Sequence, residues 1–194
     1  MSAGGQDSGP LNEPEAQGRK LKSQAMSRTP EHPGSIELAA GTTTVVFTRA
    51  GDRWAHEVRL ADDRRWQSVE GPSGSQADPR WPASPPLIEV SLAAPAGVPA
   101  VLGVGRAGRS HYSLCVVADA DEADTLFFDV ACRIHEPAGW LGSTYQSSSA
   151  AVLSLAADLT APPPGTVRWA YSVGPRGILA RPLAGPAQAP GRSR

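Results

Sequence analysis

The sequence predicts an all-β domain, an antiparallel β-sandwich of about eight to ten strands, with a jelly roll or a partly open barrel as the alternatives. Three observations lead there. Twenty glycines and nineteen prolines in 194 residues punctuate the chain too often for a helical bundle. Short runs that favour strands recur between these breaks, several with strict apolar–polar alternation. No regular alternation of strand with helix is present, and no repeat of fixed period.

The elements follow in order. Thr43–Thr48 is rich in β-branched residues, which suit a pleated surface. Ala50-Gly51-Asp52 reads as a turn. Trp54, His56, Val58 and Leu60 then alternate with Ala55, Glu57 and Arg59, the period-2 pattern of a sheet with one wet face. The two runs form a hairpin. A short strand fits Trp66–Val69. Gly71–Pro86 is a long loop rich in Gly, Pro and Ser, in which neither helix nor sheet can continue. Leu87–Leu92 and Ala100–Val104 read as strands. Ser110–Ala118 and Thr125–Arg133 form the strongest hairpin signal, across the acidic connection Asp119–Asp124. Pro137–Gly142 is a turn region. Ser147–Leu159 suits helix by Ala and Leu content, yet Ala151, Leu153, Leu155, Ala157 and Leu159 alternate, so a strand is preferred. Val167, Trp169, Tyr171 and Val173 alternate again, and Gly174–Gly177 turns into Ile178–Leu183.

Composition sets the domain limits. Residues 1–35 carry four acidic and four basic residues, four prolines and no aromatic residue, so burial there cannot offset ordering entropy. They read as a disordered arm, in which Arg19–Lys22 is a weak basic run and Met26 an alternative start. Residues 36–184 are the domain and 185–194 a disordered tail.

Charge and cysteine content narrow the function classes. Eighteen basic and nineteen acidic residues nearly cancel, which leaves no overall field for nucleic acid or an anionic membrane. No apolar stretch is long enough to span a bilayer as a helix, and no secretory leader pattern is present. Cytoplasmic residence is expected. Cys115 and Cys132 are too few for a disulfide framework and read as buried free thiols, with a single disulfide as the alternative. Neither a metal site nor a cofactor is expected.

Two motifs lose their force in context. Gly103-Val-Gly105-Arg-Ala-Gly108 matches a dinucleotide fingerprint, but that fingerprint works by delivering a pyrophosphate to a helix N-terminus. A strand follows here, so a glycine-rich turn or bulge is expected. Asp119-x-Asp121-Glu122-x-Asp124 resembles part of a calcium loop, but it has no glycine at the sixth position and no glutamate at the twelfth. A solvated hairpin tip is the expectation.

The densest polar cluster surrounds Arg106, Arg109, Ser110, His111, Tyr112 and Ser113, with Asp129, Arg133 and His135 brought near by the hairpin. Tyr145 adds a hydroxyl. Arginine forks suit carboxylates and phosphates, so Arg106, Arg109, His111, Ser113, Asp129, Arg133, His135 and Tyr145 are the candidate ligand-binding residues. The structural alternative pairs Asp129 with Arg133 or a neighbouring arginine. Trp81, between Arg80 and Pro82, either pins its loop to the body or contacts a partner. A catalytic triad is disfavoured: Ser110 and His111 point to opposite faces of a strand, and Ser113 stands about 6.5–7 Å from His111 along it.

The leading expectation is a non-catalytic β-sandwich module that binds a partner protein or a small polar or anionic ligand. A hydrolase or isomerase using His111 with Asp129 or Glu136 is the second. A structural domain that assembles through a sheet edge is the third.

Overall fold

A computed structural model describes residues 34–71 and 78–183. The N-terminal arm through residue 33, with Arg19–Lys22, Met26 and His32, lies outside the described residues. So do 72–77 of the long loop and the tail from 184.

The fold is all-β and antiparallel. Its strands are β1 (Ser35–Ala40), β2 (Thr43–Ala50), β3 (Arg53–Arg59), β4 (Arg65–Ser68), β5 (Leu87–Ala93), β6 (Ala100–Ala107), β7 (Ser110–Ala118), β8 (Leu126–Ile134), β9 (Gly142–Ser147), β10 (Val152–Ala156), β11 (Gly165–Gly174) and β12 (Gly177–Arg181). One short 3-10 turn, Pro95–Gly97, links β5 to β6. The described residues include no helix long and apolar enough to cross a membrane.

Twelve strands form one bent sheet with two halves. The first half runs β1-β2-β3-β4-β9-β10, and the second runs β5-β6-β7-β8-β11-β12. They join at one bridge, Trp54 of β3 against Leu87 of β5. The sheet folds over at that corner, and the halves pack face to face as a sandwich or nearly closed barrel. His56 on β3 stacks on Phe128 of β8, and Tyr145 on β9 meets Tyr171 of β11. Alternation explains this core. Val45 and Phe47, His56 and Val58, Leu114 and Val116, Phe128 and Val130, and Trp169, Tyr171 and Val173 all turn inward and are buried.

Two strands lacked a sequence signal. β1 has only Ile36, Leu38 and Ala40 on its apolar side, too short a run to assign as a strand. β9 (GSTYQS) is rich in hydroxyls and shows no apolar alternation, yet its first four residues are buried. The Ser147–Leu159 ambiguity resolves as strand β10, with Leu153 and Leu155 packed against the core. Gly103 and Gly105 lie within β6, and Gly108 forms the turn to β7 at φ +54°. No helix follows, so the fingerprint geometry is absent.

The acidic connection differs from expectation. Rather than a solvated tip, it is clamped by arginines of the β11–β12 hairpin. Arg181 donates to Asp119 and to Glu122 at 3.0 Å, and Arg176 donates to Glu122 at 2.6 Å. The Asp119 side chain is only 6% exposed in that pair. Asp124 accepts the Thr42 amide at 2.9 Å. Sequence could not reveal this, because the arginines lie more than fifty residues downstream.

Candidate functional site

Two places concentrate polar chemistry: the outer face of the second half-sheet and the centre of the sandwich. The outer face follows from register. His111 on β7 is flanked by Arg106 on β6 and Arg133 on β8, so the three side chains share one row across three strands. Arg106, His111 and Arg133 are all exposed. Neighbouring strands lie about 4.8 Å apart, which places the two arginines about 10 Å from each other with the imidazole between. The side chains of Arg106, Arg109 and Arg133 make no ion pair or hydrogen bond among the described residues. Arg109 stands in the β6–β7 turn beyond the row. His135, just after β8, meets His111 edge to face at 6.4 Å.

One residue pair further along the strands, the surface changes from charged to apolar. Val104, Ser113 and Ala131 form the next outward row, and Leu102, Cys115 and Asp129 the one after. Between them lies an open depression of about 470 Å³ with mainly apolar walls. The small side chains of Ser113 and Ala131 leave that space between larger neighbours. Leu102 and Val104 remain 39% and 48% exposed, so the apolar strip is presented to solvent.

Asp129 is not free to serve His111. It accepts a 2.6 Å hydrogen bond from Arg168 of β11, across the depression from Val104. This is the neighbouring-arginine pairing foreseen as the structural alternative. Glu136 is held in turn by Arg80 at 3.1 Å. Both carboxylates named as partners for His111 are therefore engaged by arginines. Cys115 and Cys132 face opposite sides of the sheet and are free thiols. Burial, and then the nearby Asp129, push the Cys115 thiol up.

The structure thus gathers Arg106, His111, Ser113, Asp129, Arg133 and His135 on one face, with Arg109 at its end. Tyr145 and Trp81 lie elsewhere. Tyr145 is fully buried in the core, because β9 turns it inward. Trp81 is 6% exposed and belongs to the core cluster, with Gly139 against its ring, so it pins the loop.

The central cluster escaped sequence reasoning apart from Tyr145. His56 Nε2 and the Tyr145 hydroxyl are 2.8 Å apart, and the Tyr145 and Tyr171 hydroxyls are also 2.8 Å apart. Trp169 Nε1 donates to Ser143 Oγ at 2.9 Å. Nearby, the His56 amide donates to Ser68 Oγ, whose hydroxyl donates to Glu70. Burial lowers His56 to a pKa of about 3, so its ring is neutral at ordinary pH. Burial also raises Tyr171 to about 12 and Glu70 to about 6. The available signal was a histidine on the apolar side of an alternating strand, which needs a buried hydrogen-bond partner.

These two groups oppose each other in acid. His56 has a folded pKa of about 3 against 6.5 when exposed, so stability falls by about 1.4 kcal/mol for each unit that the pH drops below 6.5. Glu70 has the higher pKa in the folded state, about 6 against 4.5, so lowering the pH through that window adds stability. The native protein is expected to hold nearly constant stability between pH 6 and 4.5. Glu70→Gln should be more stable at pH 7 by about 2 kcal/mol and lose stability steeply across that window. Urea denaturation at a series of pH values checks this, and identical profiles for the two proteins would refute the opposition.

Comparison with family models, with curated proteins and with solved structures finds no match for this chain.

Proposed function

We propose that this protein is a non-catalytic β-sandwich module that binds a small anionic ligand on the outer face of its second half-sheet. The observation that carries this reading is the row Arg106–His111–Arg133, whose arginine side chains have no partner among the described residues, beside an apolar depression. Two arginines rooted about 10 Å apart on the sheet can bring their guanidinium forks to a carboxylate or phosphate held between them. Rigid strands fix the backbone of the row, so the ordering cost of binding is confined to its side chains. The acid–base alternative has less support, because Asp129 and Glu136 are committed to Arg168 and Arg80. The two free thiols suit a reducing compartment such as the cytoplasm.

The test is calorimetric titration of the whole chain with inorganic phosphate and with citrate, for the native protein and for Arg106→Ala/Arg133→Ala. Losing charge-assisted hydrogen bonds should weaken binding roughly tenfold or more. Stability should barely change, since both side chains are exposed. Affinity unaffected by the double substitution would remove the arginine row from the site.

A further inference from the structure

The geometry points to a more specific ligand class: a free, single-chain anionic amphiphile, its charged group on the Arg106–His111–Arg133 row and its hydrocarbon chain in the adjoining depression. This rests on the anion-binding reading above and names what the rest of the face is for. The charged row and the depression are continuous along the strands, because Val104, Ser113 and Ala131 stand two residues from Arg106, His111 and Arg133. From the row to Leu102, Cys115 and Asp129 is four residues along each strand, about 13 Å at 3.3 Å per residue. A ligand that satisfies both parts must therefore carry its charge at one end and apolar matter over that length.

The chemistry of the walls selects hydrocarbon over peptide. Backbone amides and carbonyls of β6, β7 and β8 are engaged in pairing on both sides of β7, so the sheet face offers no free main-chain groups to an incoming strand. The polar side chains at the depression are Ser113, Asp129 and Arg168, and the latter two hold each other. An extended peptide lying there would leave its own amides without partners, at a cost that an alkyl chain does not incur. A second copy of this face is also a poor occupant, because it brings a further set of arginines without matching free carboxylates. The groove and the charged row both lie in the plane of the sheet, so the ligand lies flat on the strands. A bilayer lipid, with its chain pointing away from the charged surface, does not meet that geometry.

The experiment titrates the whole chain with inorganic phosphate and then with butyl, hexyl, octyl and decyl phosphate, each below its micelle-forming concentration. Native protein is compared with Ala131→Phe, which fills the depression from the exposed side of β8, and with Arg106→Ala/Arg133→Ala. Affinity is expected to rise by roughly two- to fourfold per added methylene through the series. Ala131→Phe should abolish that rise and leave inorganic phosphate binding unchanged, while the double arginine substitution should weaken every member. Phosphate binding without chain-length dependence would overturn the amphiphile and leave the anion site standing. Absence of binding by any member would overturn both. Tighter binding to vesicles of anionic phospholipid than to monomeric decyl phosphate would assign the face to a membrane surface and overturn the inference.

Discussion

Tyr145→Ala is expected to lower stability by about 3–5 kcal/mol from lost packing alone, a large part of the 5–15 kcal/mol that holds a typical domain. Tyr145 is fully buried, and its ring meets His56 at 5.4 Å and Tyr171 at 6.0 Å, both edge to face. The side chain reaches from the first half-sheet to the second, so its removal empties the space between them. It also removes the partner of His56 Nε2 and one partner of the Tyr171 hydroxyl, since both bond to its oxygen. Tyr145→Phe separates the two contributions. The ring stays, the hydroxyl goes, and the unpaired groups should cost about 1–3 kcal/mol. Differential scanning calorimetry should show a melting temperature lower by roughly 10 °C for the alanine variant and by a few degrees for phenylalanine. A phenylalanine variant as stable as the native protein would mean that the hydrogen-bonded chain contributes nothing net.

Gly105→Ala is the second large effect, expected to cost about 3 kcal/mol or more, at or beyond the upper end for overpacking. An added Cβ would lie 2.0 Å from the Pro86 carbonyl oxygen and 2.9 Å from Leu87 Cα. These are backbone atoms and cannot rotate away. The clash falls where the β5–β6 register shifts, between Leu87 and Glu89, and where Leu87 bridges to Trp54. Separating β5 from β6 there loosens the corner that joins the two half-sheets. Gly108→Asn serves as the contrast. That position is a left-handed turn at φ +54°, which asparagine tolerates, and its nearest neighbours are Arg80 side-chain atoms. Its cost should stay below about 1 kcal/mol. Urea unfolding of the two variants checks the comparison, and equal effects would show that the close approach at Gly105 relaxes.

The β2–β3, β7–β8 and β11–β12 hairpins were legible because each alternates over six or more residues or is dense in β-branched and aromatic residues. β9 was not, because Ser143, Thr144 and Tyr145 are each polar by type. They are buried only because Trp169, Ser154 and Tyr171 come from other strands to bond their hydroxyls. The same reason hid the arginine clamps on Asp119 and Glu122, whose partners are distant in the chain. The candidate face was half legible. Arg106 and His111 are close in sequence, and the hairpin brings Arg133 near them. That their side chains share one row depended on the register, which a single-residue slip would have reversed.

By itself, then, the sequence determined the all-β class and most strands, and which side of those strands faces the core. Local periodicity and turn chemistry act over a few residues and need no distant partner to be read. Only the tertiary structure decided that the sheet bends at Trp54 and Leu87 and that Tyr145 lies between the halves. It also decided that Asp129 belongs to Arg168 and that two arginines with a histidine between them stand beside an apolar groove. Each of those outcomes depends on strand order and register, which are set by contacts between residues far apart in the chain.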